Sequence, residues 1–423
     1  MKRTVVALIG ALSLIVAGSL TPSQAAVPSI TPAQVSTGFV GIAYGSYIFN
    51  SDKSLTSGPT AYSGVSCTAA TGQTRTNSAA AVKVPAVGNV GAVTTSVKSL
   101  LSTTGKRIDA RSTVASTNLL GGLITAGAIT SDSSAEKGAS GAFVGTNKSI
   151  ITSLKVLGLP VSASAAPNTI IDLKLPVLGS VGKITLNGQS KQLIDGNYVV
   201  STTALRVQVL KAGIVGVKAG TDINLGVSIA KLTPPQKGYL AGTGFTTQAT
   251  LLTGLIGSGP TALATVKCGG GTTAANLAGV TVSGLASVGA SSTKTSGVLT
   301  PALKSSVTNN LVGLNVLNGL IRADAIKAET SASRSPEGGK VTLTDTSTFA
   351  NLRIAGLPAI NASVAPNTVI QVPGLGQVTL HKVSKSTTTI TVTMIEIVLK
   401  QAVGTLPLGS KILIGYSSSS VRS

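Results

Sequence analysis

Leu205-Arg206-Val207-Gln208-Val209 alternates apolar and polar residues with period two. That period predicts a strand with Leu205, Val207 and Val209 on a buried face and Arg206 and Gln208 outward. Ile395-Glu396-Ile397-Val398-Leu399 keeps its apolar residues at the same phase about 200 residues later, which points to a tandem duplication. Working outward, other matches hold that offset. Ser57-Gly58-Pro59-Thr60-Ala61, five residues and Cys67 recur as Ser258-Gly259-Pro260-Thr261-Ala262, five residues and Cys268. Ala166-Pro167-Asn168-Thr169-Ile170-Ile171 recurs as Ala365-Pro366-Asn367-Thr368-Val369-Ile370. In both, Pro sets φ and Asn tolerates turn geometry, so each reads as a turn that launches a strand.

The repeated segments are short, rich in Val, Ile and Thr, and bounded by Gly, Pro, Asn and Ser, as strands are. The sequence therefore predicts an all-β protein of two similar antiparallel sandwiches in tandem, over residues 37–233 and 238–417. The paired prolines of segment 234–237 read as the linker. Segment 418–423 reads as a flexible tail. A β-solenoid is the rival fold, but no repeat of about 20 residues runs inside either copy. Helix signals are weak and fall on 93–103 and 301–307.

Residues 1–26 read as a cleaved secretory signal peptide: Lys2 and Arg3, an apolar stretch, then small residues through Ala26. Nothing downstream is apolar for long enough to span a bilayer as a helix. The C-terminal residues show neither a sorting signal nor a hydrophobic tail, so release from the cell or non-covalent retention in the wall is expected. Mean hydropathy is +0.43 with only 11% charged residues, enough apolar content for two sizeable cores. The cationic excess is evenly shared. Residues 27–233 hold 17 Lys and Arg against 7 Asp and Glu, and residues 234–423 hold 14 against 5. Scattered cations of this kind attract polyanions at long range and also keep an apolar protein in solution. Lys155, Lys183 and Arg353 are the polyanion contacts singled out, Lys155 and Arg353 at matched places in the two copies.

Three stretches together are similar to the choice-of-anchor P family of secreted actinobacterial proteins: NLLGGLITAGAITSDSSAE at 118–136, STFANLRIAGLPAINASVAPNTVIQVPGLGQVTLHKV at 347–383, and TTTITVTMIEIVL at 387–399. The resemblance implies an extracellular domain whose attachment to the surface varies among members. It implies no activity and carries over no functional residue.

Few residues offer chemistry. Cys67 and Cys268 are the two cysteines, one per copy, and in an oxidising compartment they are expected to pair if the copies pack about a pseudo-twofold axis. Unpaired thiols or pairing between molecules are the alternatives. His381 is the lone histidine, with Asn187 at the matching place, and reads as a surface or strand-end residue. Asp132 and Glu136 are the nearest thing to a carboxylate pair, but Ser133-Ser134-Ala135 between them reads as a solvated turn. With no Trp and 3% aromatics, stacking on neutral sugars or on nucleic-acid bases is disfavoured. Gly269-Gly270-Gly271 lacks the Lys-Ser/Thr of a phosphate loop. No catalytic residue, metal ligand or cofactor site is assigned. The expectation is a secreted, non-catalytic structural or adhesive protein of the cell envelope or its surroundings. Its partners would be surface proteins or anionic wall polymers, and not nucleic acid. A basic module that binds those polymers electrostatically is the alternative, with a hydrolase behind both.

Overall fold

A computed structural model describes residues 37–422 except 52–54, 85–86, 163–164, 213–215, 235–237, 251–255, 283–285, 336–338, 356, 363 and 404–405. The signal-peptide segment and most of the expected linker thus lie outside the described residues. Strands make up most of the described residues. One turn of 3-10 helix, Leu120–Gly122, interrupts them, and no helix among the described residues is long and apolar enough to cross a membrane.

Each half builds a seven-stranded sheet with the same order. In the first, Thr169–Leu175, Gly179–Ile194, Asn197–Val209, Thr221–Thr233 and Gly38–Asn50 follow one another, and Leu55–Ser57 and Ser63–Thr68 pair with the last. In the second, the order is Thr368–Val372, Gly376–Lys385, Thr389–Leu399, Lys411–Arg422 and Tyr239–Thr250, edged by Ile256–Ser258 and Ala264–Thr265. The first strand of each half pairs with its last, so each half closes on itself. All the pairings are antiparallel, and nothing winds as a solenoid would.

The facing layer differs between the halves. In the second it is one nine-stranded sheet, because Leu303–Val316 and Ile321–Arg334 run unbroken. In the first, interruptions at Ala115-Ser116 and at Gly127 split it into a five-stranded and a six-stranded sheet. Both layers turn apolar residues inward, the sandwich solution to burying one face of each sheet. Leu205, Val207 and Val209 are buried as the alternation requires, with Arg206 and Gln208 half-buried on the other face.

Hydroxyls divide each interior into a larger and a smaller apolar cluster. In the first half, Ser133 Oγ lies 2.8 Å from Thr202 Oγ1 and 3.0 Å from Ser228 Oγ, all fully buried. In the second, Thr330 Oγ1 meets Ser419 Oγ at 2.9 Å, and Asn309 Nδ2 donates to Thr246 and Thr293. These groups are tolerated in the interior because they satisfy one another, although Asn309 Oδ1, Ser131 Oγ and Ser417 Oγ are buried with no partner among the described residues.

Two expectations need correction. Segments 93–103 and 301–307 lie largely in the strands Val93–Leu101 and Leu303–Val316, with no helix. Residues 418–422 are not a loose tail either. They continue the strand Lys411–Arg422, pair with Tyr239–Thr250, and bury Ser419 and Val421 completely. Without that strand the first strand of the second half would lose its ladder partner.

The turn reading holds. Asn168 and Asn367 take φ of 59° and 62°, and Thr169 and Thr368 each donate a hydroxyl to the Ala carbonyl three residues earlier at 2.7 Å. Pro followed by a residue with positive φ fits the type II turn.

Candidate functional site: the junction between the two copies

The two Ser-Gly-Pro-Thr-Ala motifs meet face to face. A methyl on Gly58 would collide with the Pro260 carbonyl, and one on Gly259 with the Pro59 carbonyl. The reciprocity is that of an isologous contact about a pseudo-twofold axis. Within each motif, Thr60 and Thr261 hold the neighbouring strand in the same way, at 2.9 Å to Ser46 Oγ and 2.7 Å to Thr247 Oγ1. Beside the motifs, Cys67 and Cys268 form a disulfide with Cα atoms 5.4 Å apart, within the usual range. Both are buried, packed with Tyr239. Backbone cannot swing aside as a side chain can. Gly259→Ala is therefore expected to loosen the junction, at a cost of about 1–3 kcal/mol. The check is denaturant unfolding of Gly259→Ala against the wild type, read for a lower midpoint.

Each side of the axis carries a groove shared by the two copies, and the chemistry of the two differs. The larger, about 610 Å³, combines the outer face of Gly38–Asn50 with residues 260–277. Tyr44, Tyr47, Phe49 and Tyr62 line it, four of the chain's 6 Tyr and 5 Phe. Tyr47 meets Tyr44 edge-on at 6.1 Å and Phe49 at 5.3 Å. Tyr62 fits because Gly64 has no side chain: a methyl there would lie 2.8 Å from the phenol oxygen. Burial pushes the Tyr62 hydroxyl up to about 12. Tyr44 is driven up further, first by burial and then by the charges of Tyr47, Tyr62 and Asp222. The smaller groove, about 190 Å³, has Arg75, Arg422, Gln73, Thr243, Ser418 and Ser420 among its lining. The copies have diverged at this place: Gln248, Thr250 and Leu263 of the second copy stand where the first has Tyr47, Phe49 and Tyr62.

Next to Phe49 the outer face carries an ion pair. Arg206 binds Asp222 through Nε at 3.0 Å to each oxygen and through Nη2. At the same two places the second copy has Glu396 and Lys411, with the signs exchanged, 2.8 Å apart. Lys382 adds a second contact to Glu396 at 2.7 Å. Burial pushes the Glu396 carboxyl up, but the hydrogen bonds and charges of the two lysines outweigh it and hold the group below the ordinary carboxylate range. A depressed folded-state value stabilises the fold above the unfolded value of about 4.3, and the gain disappears as pH falls through the folded value. Glu396→Gln is expected to cost about 1–2 kcal/mol at neutral pH and to flatten the acid limb of the stability profile, measured by unfolding from pH 7 to pH 3.

The other residues singled out in the sequence are dispersed. Lys155 lies in the six-stranded sheet, Lys183 in the seven-stranded sheet of the facing layer, and Arg353 in the second copy. All three are exposed. Lys155 and Arg353 do occupy equivalent register positions, opposite Thr125 and Arg322. His381 is not at a strand end. It sits inside Gly376–Lys385 at φ 48°, is buried, and contacts the Val364 carbonyl at 2.7 Å and Asp345 at 2.8 Å. Asn187 does the same structural task in the first copy, donating to the matched Ala165 carbonyl. Asp132 and Glu136 lie on one face of the strand Ala128–Gly138, not on a turn. Arg111 approaches Asp132 at 3.5 Å, and Ser102 donates to Glu136 at 2.8 Å. Among the described residues no three His, Cys, Asp or Glu side chains gather as a metal site would need.

The aromatic groove escaped the sequence reading because its rings are few and its opposite wall comes from the other copy. The one available signal was the clustering of Tyr44, Tyr47 and Phe49 within a single strand; strict alternation would set Tyr44 and Tyr47 on opposite faces, and they share the outer one because Gly45 and Ser46 are both buried. No curated protein matches the chain. Residues 258–371, which run from the second Ser-Gly-Pro-Thr-Ala motif to just past the second Ala-Pro-Asn-Thr turn, are similar to a domain family of unknown function, DUF8256.

Proposed function

We propose that this protein is exported and acts outside the cytoplasm as a non-catalytic structural or adhesive module, its two copies working as one rigid unit. The observation that carries this reading is the buried Cys67–Cys268 disulfide, since such bonds persist in oxidising compartments and are rare where thiols are kept reduced. The basic, apolar, small-residue order of residues 1–26 and the resemblance to the choice-of-anchor P family support the same location. The test is cell fractionation with a wash series, joined to non-reducing mass spectrometry of the recovered protein. Recovery of the disulfide-bonded form from medium or wall supports the proposal. Recovery of the reduced form from cytoplasm overturns it.

A second reading, electrostatic retention on anionic wall polymers, is favoured by one observation. Lys155, Lys183 and Arg353 are exposed and have no ion-pair partner among the described residues. Release from wall fragments on raising NaCl from 0.05 to about 0.5 M is expected of that mode, because screening shortens to a few ångströms. Retention through the wash speaks against it.

A further inference from the structure

Against the expectation set by the low aromatic content, and because the few rings gather in one place, we propose that the aromatic groove between the two copies is a binding site for a neutral saccharide, stacked on the rings of Tyr47 and Phe49. The proposal rests on the reading above only in requiring the two copies to be docked. It supplies that reading with a ligand.

Four features of the groove lead to this class. The first is its place and size. At about 610 Å³ it falls within the range of small-molecule sites, at a boundary between folded units where such sites concentrate. The second is its charge. The chain carries 33 Lys and Arg, yet no charged side chain occurs among the described residues lining this groove, whereas the smaller groove holds two arginines. A charged ligand would be desolvated here with no counter-charge to repay it.

The third is the position of the rings. Large rings elsewhere help fill the interior, as Phe39 and Phe349 do, whereas Tyr44, Tyr47, Phe49 and Tyr62 stay half-buried outside it. Rings held at such a surface offer flat apolar area and little entropy to lose. The fourth feature separates a saccharide from a hydrocarbon. Tyr44 and Tyr62 are half-buried where they line the groove, and neither hydroxyl makes a hydrogen bond among the described residues. A hydrocarbon in the groove would leave both unsatisfied, at the penalty that buried polar groups pay. A sugar ring offers apolar C–H faces to Tyr47 and Phe49 and hydroxyls to the two phenols. The exposed Asn276 amide on the opposite wall is a further partner.

The chain has no Trp, so tyrosine emission can be followed directly, and three of its 6 Tyr line the groove. The experiment titrates the intact, oxidised protein with cellobiose, maltose and N,N′-diacetylchitobiose to 20 mM, following emission and calorimetric heat, with an n-octyl alcohol titration alongside. At least one disaccharide is expected to bind. Tyr47→Ala and Phe49→Ala should each weaken binding about tenfold, and Tyr44→Phe and Tyr62→Phe about threefold to fivefold. Arg75→Ala, in the counterpart groove, should change nothing. Unfolding midpoints of the variants are compared first, and the Tyr→Phe pair serves where an alanine variant is unstable. The proposal is overturned if none of the three disaccharides binds, if octanol alone does, or if binding survives both Tyr47→Ala and Phe49→Ala. Its failure leaves the exported, disulfide-bonded module intact, since that is decided by fractionation.

Discussion

Replacing both cysteines by alanine, Cys67→Ala with Cys268→Ala, is expected to lower stability by about 2–4 kcal/mol and to split one unfolding transition into two. The bond joins residues 201 apart in sequence, and closing so long a loop in a fully unfolded chain would be worth about 5 kcal/mol in the chain-entropy model. The full amount is not expected. Each copy pairs its own first and last strands, so each can hold its fold while the other melts. The staple then acts on the docking of two bodies already tethered by the chain. Alanine is the right replacement because both sulfurs are buried, and a serine hydroxyl there would lack a partner. Calorimetry with and without dithiothreitol checks the prediction. Wild type should show reductant-sensitive melting, and the double variant should ignore reductant. A variant that melts in one transition at the wild-type temperature would falsify it.

Phe39→Ala is expected to cost about 3–5 kcal/mol, and Phe39→Leu no more than about 1.5 kcal/mol. Phe39 is fully buried in the smaller cluster of the first copy, with Val97, Ile108 and Leu232. Truncation removes a whole ring from a space bounded by two sheets that cannot both close in on it. The duplication shows what the site tolerates. Leu240 fills the matched position of the second copy and is also fully buried. Denaturant titration separates the two: the midpoint should fall steeply for alanine and slightly for leucine, with the slope unchanged.

The all-β sandwich architecture was legible wherever apolar residues fill every inward position. Leu205, Val207 and Val209 are such a case, and Ile395, Ile397 and Leu399 another. It was misread where hydroxyls take inward places. In Val93–Leu101 the buried residues are Val93, Thr95, Val97 and Ser99, a perfect period of two. Counting only the apolar residues leaves Val93, Val97, Leu100 and Leu101, which is a helical spacing. The serine run at 417–420 hid a strand for the same reason: Ser417 and Ser419 face inward and are fully buried. The pairing of the cysteines could be anticipated because matched positions in two copies meet only near a symmetry axis. The aromatic groove could not, because it exists only once the copies dock.

The exchanged signs of Arg206–Asp222 and Glu396–Lys411 bear on how a polypeptide with two similarly folded halves avoids trading pieces with itself. Tandem homologues are prone to such errors while they emerge and assemble. Were the closing strand of one half to add to the other half's sheet, Arg206 would face Lys411 and Glu396 would face Asp222. Both encounters are repulsive, in places where the correct ones attract. The polarity reversal thus disfavours exchange of the closing strands, because each is attracted only by the sheet of its own half.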